Sequence, residues 1–299
     1  MGVAPFRLKP WFSERVWGKL DLRPWYAETG TAEPVGEAWL TGPQCVVETG
    51  VFASRTLASL AAELGGEFPL LVKLLFPADK LSVQVHPDDA WAKKLGETRG
   101  KTECWYVLEA EPGAAVALGL KQGVDVAAVR ASVANGNMEG LMEWVPVSVG
   151  DMLFVDAGTV HAIGPGVVLL ETQQTSDVTY RLYDYGRPRE LHLEKGLQVM
   201  KAKTAAGKVA PRAMSGFTRL IEQKYFVVDR FDLGEMTEAS VSFDGPGCLV
   251  GLAGSAVVCN EAGEASIGPG QAVIVPTGEG AIVDTETGVS FVRCWAPVS

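Results

Sequence analysis

Apolar positions along the chain fall in short runs that seldom keep the i, i+3, i+4 spacing of a helix. Residues 70–75, 81–85, 104–108, 114–118, 152–155 and 167–172 are apolar or alternating stretches, and each reads as a β-strand. Many short strands separated by Gly and Pro predict an all-β sandwich or barrel. Helical spacing is confined to a few places. Thr56 stands where a helix cap would, before Leu57, Leu60, Ala61 and Leu64 on one face, with Gly65 and Gly66 as the stop. Asp125 stands likewise before Val126, Val129 and Val133, and Asn137 opens a third candidate that ends before Pro146. The last two would form a small helical insertion at about residues 121–145 of the β framework.

The pattern changes after residue 200. Residues 201–215 are rich in Lys, Ala and Gly, contain Pro211 and lack apolar periodicity, so they read as a connector. The expected division is therefore a first unit over residues 1–204 and a second over 205–299, in keeping with a length of 299 residues. A weak internal repeat supports a common plan. Gly150-Asp-Met-Leu-Phe-Val-Asp-Ala-Gly158 aligns with Gly270-Gln-Ala-Val-Ile-Val-Pro-Thr-Gly278, and three residues after the closing glycine the first copy has His161 where the second has Ala281. The second unit would keep the scaffold and lack the chemistry.

Composition narrows the function. A net charge of −10 argues against nucleic acid as a partner, while leaving room for a small anion met by a few local cations such as Lys73, Lys101, Arg181, Arg187 and Arg189. No run approaches the roughly 18 apolar residues of a membrane span. No charged, apolar and small-residue sequence resembling a secretory leader opens the chain, so a cytoplasmic location is expected. The five cysteines are scattered without a C-x-x-C pair, which argues against a disulfide framework and a thiolate metal site.

Two of the three histidines lie in settings that suit a metal ligand. Residues two apart on a strand share a face, so Gln84 and His86 would direct an amide oxygen and an imidazole to one point. Lys101 and Glu103 repeat the arrangement with an ammonium and a carboxylate. With His161 from a third strand, Gln84, His86 and Glu103 form a two-nitrogen, two-oxygen set for one divalent cation, most simply zinc, with iron or cobalt open as alternatives. Each residue also has a structural reading. A lone strand histidine is more often hydrogen-bonded than metal-bound, Lys101 and Glu103 would serve as an exposed pair, Lys73 would snorkel, and Arg181 would pair with Asp177 or Asp184. His192 has no such companions and reads as surface or packing, while Trp17, Trp39 and Trp105 read as core or pocket wall.

Several motifs in order resemble the type I mannose-6-phosphate isomerases in their short bacterial form, within the cupin superfamily. They are Arg15-Val-Trp-Gly18, Gly36-Glu-Ala-Trp39, Ser82-Val-Gln-Val-His-Pro87, Lys101-Thr-Glu103, Ala157-Gly-Thr-Val-His-Ala-Ile-Gly164 and Glu171-Thr-Gln-Gln-Thr-Ser-Asp-Val-Thr-Tyr-Arg-Leu-Tyr-Asp184. The resemblance runs over residues 11–189 and implies two jelly-roll domains, one zinc ion per chain, and interconversion of mannose 6-phosphate and fructose 6-phosphate. It places the metal ligands on Gln84, His86, Glu103 and His161. The family's substrate-site Ser, Lys, Glu and Arg fall on Ser82, Lys101, Glu171 and Arg181. Ala38 stands where the family often has Ser, and Lys19 where it often has a second Gly.

For such a reaction Glu171 is the first choice as proton-transfer base, with Lys101 as donor to oxygen; a hydride shift stays open. Arg181 would meet the phosphate or the developing oxyanion, with Ser82 and Lys73 as weaker phosphate candidates. A non-catalytic cupin that binds or senses a sugar phosphate, and an iron or manganese cupin with oxygen chemistry, are the rival readings. The expected partner is a small sugar phosphate; monomer and homodimer are both open.

Overall fold

The computed structural model describes residues 2–276 and 280–297. Its strands form four antiparallel sheets stacked in sequence. The five-stranded sheet runs Tyr180–Tyr183, Val83–Val85, His161–Ile163, Ala115–Leu120 and Met142–Pro146. It packs on a seven-stranded sheet ordered Gly207–Val209, Met152–Val155, Glu103–Ala110, Val167–Gln174, Leu70–Leu75, Val35–Trp39 and Trp11–Lys19. The far face of that sheet meets an eight-stranded one, which includes Val227–Leu233, Gly247–Gly254, Ala272–Val275 and Val289–Trp295 together with Phe6–Lys9 and Val46–Val47 from the beginning of the chain. A four-stranded sheet of residues 237–285 covers the outer face of the eight-stranded one.

Strands sandwiched on both faces need apolar side chains on both, which explains why Leu70–Leu75 is buried throughout and apolar at every position except Lys73. Alternation then assigns the faces. Leu70, Val72 and Leu74 join Cys104 and Tyr106 in the core toward the eight-stranded sheet. Leu75, Trp105, Val107 and Leu169 face the five-stranded sheet instead. The candidate site lies among residues of this second parity.

The predicted strands are present within a few residues of their expected limits. Asp125 caps the helix Val126–Asn135 by accepting from the Ala128 N–H, and Gly136, with φ of 76°, ends it in the left-handed region that glycine enters freely. Two helical expectations are corrected. Leu57–Leu60 is a single 3₁₀ turn without a Thr56 cap bond, because the Leu57 and Ala58 N–H groups donate back to the Cys45 and Pro43 carbonyls. After Asn137 the chain makes only the 3₁₀ turn Met138–Leu141 before entering the strand Met142–Pro146. Two short helices were not anticipated, Asp89–Lys94, capped by Asp88, and Leu193–Val199.

Part of the expected connector forms edge strands. Gly207–Val209 pairs with residues 152–154, and Arg212–Ala213 with 218–219; edge pairing uses main-chain groups and leaves no apolar period to read. In the repeat, Met152–Val155 and Ala272–Val275 are both central strands, and His161 and Ala281 each begin the next strand; Thr277 and Gly278 lie outside the described residues. All five cysteines are free thiols, four of them buried. Among the described residues no helix is long and apolar enough to cross a membrane.

Candidate metal centre and adjoining cavity

Strand register brings the site together from two facing sheets. In the five-stranded sheet Gln84 lies opposite His161 on one side and Arg181 on the other, so their side chains emerge on one face. In the seven-stranded sheet Glu171 lies between Lys73 and Trp105, and Gln173 opposite Glu103. His86 follows directly on Val83–Val85 and completes the group.

His86, Glu103 and His161 are each almost fully buried and offer ligand atoms within 4.8 Å of one another. Both imidazoles are oriented from behind: His86 Nδ1 donates to the Val178 carbonyl at 2.8 Å and His161 Nδ1 to that of Thr159 at 2.9 Å. Each Nε2 lone pair is thereby left facing the common centre, the usual device for a ligating histidine. Their Nε2 atoms lie 3.6 Å and 3.5 Å from the two Glu103 oxygens, and Glu103 Oε1 is buried with no hydrogen-bond partner. A buried anionic oxygen without a donor is costly, and a cation at this point would satisfy it. Gln84 Nε2 approaches His161 Nε2 at 3.2 Å while its Oε1 accepts from the Ser82 hydroxyl at 3.2 Å; a half-turn of the amide exchanges the two.

The charges around this centre alternate in sign. Lys101 bonds Glu103 and lies 3.1 Å from His86 Nε2 and 3.6 Å from Glu171 Oε1. Lys73 reaches Glu171 at 3.8 Å, Glu37 at 3.3 Å and Asp177 at 3.2 Å, over the ring of Trp39 at 4.5 Å. Lys101 and Glu103 are thus buried, as is Lys73, contrary to an exposed pair and a snorkelling lysine. Burial opposes charge on both lysines, but Glu103 and Glu171 around Lys101, and Glu37, Asp177 and Glu171 around Lys73, outweigh it and raise both pKa values. Burial lowers both imidazole pKa values, His161 to about 4, which keeps them neutral as ligands must be. Burial, reinforced by Glu103 against the pull of Lys101 and Lys73, raises Glu171 to about 7.

A cavity of about 470 Å³ opens beside the centre, large enough for a small ligand. Ser82, Gln84, Lys101 and Glu171 form part of its inner wall, and Lys73 lines it as well. Arg181, Arg15 and Arg189 give it a basic side. Arg181 pairs with neither Asp177 nor Asp184: its Nη1 donates to the Glu190 carbonyl at 2.8 Å, and its buried Nε has no partner. Asp184 is instead gripped by Arg189 through two bonds of 2.6 Å. His192 packs behind, its Nδ1 accepting the Arg181 backbone N–H at 3.3 Å. Arg189 was among the local cations the sequence offered for a small anion, whereas sequence reasoning gave no role to Arg15, Glu37 or Asp177 on this wall. For Glu37 a signal was present, a carboxylate inside the buried strand Val35–Trp39. Asp177 and Arg189 lie outside regular strands, where no period reveals which way a side chain turns.

The profile of the family described as "Phosphomannose isomerase type I, catalytic domain" matches residues 5–119. The mannose-6-phosphate isomerase of Streptococcus mutans is 36% identical, covering 77% of this chain and 79% of its own. Mannose-6-phosphate isomerase ManA of Bacillus subtilis is 37% identical, covering 78% and 81%. The crystal structure of mannose 6-phosphate isomerase from Bacillus subtilis superposes with a TM-score of 0.87 at 30% identity, over 98% of this chain and 99% of that one. A mutant phosphomannose isomerase from Salmonella typhimurium shares the fold with a TM-score of 0.77 at 17% identity, over 98% and 100%.

Proposed function

The chain belongs to the type I phosphomannose isomerase family and has mannose-6-phosphate isomerase activity; from that premise we propose that it works through one divalent cation, zinc by preference, held by Gln84, His86, Glu103 and His161. The observation that carries this reading is the buried His86, Glu103 and His161 triad with one carboxylate oxygen unpartnered. Two imidazoles, a carboxylate and an amide suit zinc and leave room for substrate oxygen. When bound, the cation supplies Lewis-acid stabilisation of the negative charge that develops on the sugar's reacting oxygens.

The protein's own groups handle protons and position. Glu171, fixed by the Trp105 indole N–H at 3.2 Å, is placed to take the proton from the carbon beside the carbonyl and to return it to the neighbouring carbon. Lys101, kept protonated by its carboxylate neighbours, donates to the carbonyl oxygen as the enediol forms and recovers a proton from the adjacent hydroxyl as it collapses. Arg181, with an unused Nε and no carboxylate within ion-pair distance among the described residues, holds the phosphate, helped by Ser82. Lys73, already matched by three carboxylates, is a weaker phosphate ligand and serves chiefly to hold Glu171. The apolar part of the wall, Trp17, Leu75, Leu81 and Ile163, limits water, which strengthens each of these interactions.

The proposal keeps the division at residues 204 and 205, with every candidate residue in the first unit, and a cytoplasmic setting in keeping with five free thiols. Elemental analysis together with a coupled isomerase assay tests it. The wild type is expected to carry one cation per chain, and His161→Ala to lose it along with at least about a hundredfold in turnover, the scale of a removed charge-stabilising group. Undiminished turnover in His161→Ala overturns the assignment.

A further inference from the structure

The segment that carries Lys101 and Glu103 enters its strand with three consecutive backbone donors fixed from outside the sheet ladder. Gly100 N donates to Asp89 Oδ1 at 2.9 Å, Lys101 N to the Pro87 carbonyl at 3.0 Å and Thr102 N to Gln174 Oε1 at 3.0 Å. Two of these acceptors lead straight back to the site, since Pro87 follows His86 and Gln174 ends the strand of Glu171. The approach is close: a Cβ on Gly100 would stand 2.6 Å from the Asp88 carbonyl carbon. Asp89 ties the arrangement together, because its Oδ1 also accepts from Gln174 Nε2 at 3.1 Å. Its other oxygen takes the hydroxyl of Tyr225 at 2.6 Å. Tyr225 belongs to the turn between Thr218–Glu222 and Val227–Leu233, in the eight-stranded sheet, and contributes nothing to the cavity itself.

We propose that Tyr225, acting through Asp89, is a positioning residue for the active site: the second half of the chain sets the placement of Lys101 and of the ligand Glu103 by fixing the carboxylate that anchors their strand entry. This rests on the reading of Glu103 as a cation ligand. The hydroxyl holds Asp89 in the one rotamer that serves Gly100 and Gln174 together. Without it the carboxylate turns toward solvent, and the strand entry gains freedom at the point where sub-ångström placement of Lys101 and Glu103 matters.

The test is Tyr225→Phe in the full chain, with Tyr106→Phe as control. Tyr106 also bridges the two large sheets, its hydroxyl accepting from Arg230 Nη1 at 2.5 Å, but it does not touch the strand entry. Three quantities are read: metal retained after dialysis against a chelator, kcat and KM separately, and the melting temperature. The expectation for Tyr225→Phe is a kcat lowered about three- to tenfold with KM little changed and with faster loss of metal, a smaller effect than the roughly 10–100-fold for groups bonded directly to a ligand. Asp89→Asn should lower both in the same direction, and combining it with Tyr225→Phe should add little, because the two act through one contact. Tyr106→Phe should leave kcat and metal retention at wild-type values. If Tyr225→Phe matches Tyr106→Phe in both, the hydroxyl only joins the sheets and the proposal is wrong. That outcome differs from failure of the ligand reading, in which the wild type itself would hold no cation.

Discussion

Glu37 shows how a single buried residue couples stability to the cavity. Its oxygens receive Arg15 Nε at 2.9 Å and the Trp39 indole N–H at 2.7 Å, with Lys73 at 3.3 Å. Burial alone would raise its pKa, but Lys73 and Arg15 with the indole outweigh it and hold the carboxyl at about 2. A folded-state value below the unfolded one means stability that is complete above the ordinary carboxylate range and lost as pH falls toward the depressed value. The window therefore runs from about pH 4.5 down to about pH 2, and the whole difference is worth at most about 3 kcal/mol. Wild type and Glu37→Gln, compared by denaturant unfolding at about pH 6 and about pH 3, should differ more at the higher pH. A gap that does not narrow on acidification would mean that the three donors do not favour the ionised carboxylate. Glu37 appeared in the sequence only inside the Gly36-Glu-Ala-Trp39 motif, with no role of its own. Its partners come from neighbouring strands, and register is what joins them.

At the scale of elements, the legible features were those written locally. The strand Leu70–Leu75 was readable because both its faces are covered, and the helix Val126–Asn135 because Asp125 marks its start and Val126, Val129 and Val133 keep a helical spacing. Asp125→Ala removes the acceptor for the Ala128 N–H, so a loss of about 1 kcal/mol is expected by thermal unfolding, with isomerase activity unchanged since the helix packs outside the site. Lost activity at retained stability would place that helix in the catalytic machinery. Other elements were hidden for definite reasons. At Thr56 the local signs of a helix yield to main-chain bonds with residues 43–45, which no window around Thr56 contains. Gly207–Val209 is an edge strand whose half-exposed side chains carry no pattern. The proposed ligand set was readable because Gln84 and His86, and Lys101 and Glu103, each sit two apart in extended chain. Arg15 escaped because its direction depends on a sheet edge, and Arg189, offered only as a nearby cation, takes its direction from the Asp184 clamp.

At the scale of the molecule, the two large sheets share one apolar cluster. It joins Leu70, Val72, Leu74, Cys104 and Leu170 to Val228, Cys248, Val250, Ile274 and Val292, while Phe6 and Leu8 pair with the strand Ala272–Val275. The proposed division near residue 204 is thus bridged by a continuous core and by an N-terminal strand lying in a sheet built mainly from later residues. A fragment of residues 1–204 would expose the whole of that apolar face, leave Phe6–Lys9 and Val46–Val47 without a main sheet, and lose Tyr225 from Asp89. Exposed apolar faces of this extent and unpaired edges drive association. The fragment should therefore elute as aggregate or melt without cooperativity, with little bound metal, although it contains every proposed ligand. A monomeric fragment with a sharp melting transition and wild-type turnover would instead show that the first half is self-sufficient. In that case the eight-stranded sheet would be an attachment, and the ligand geometry would be encoded entirely upstream of the connector.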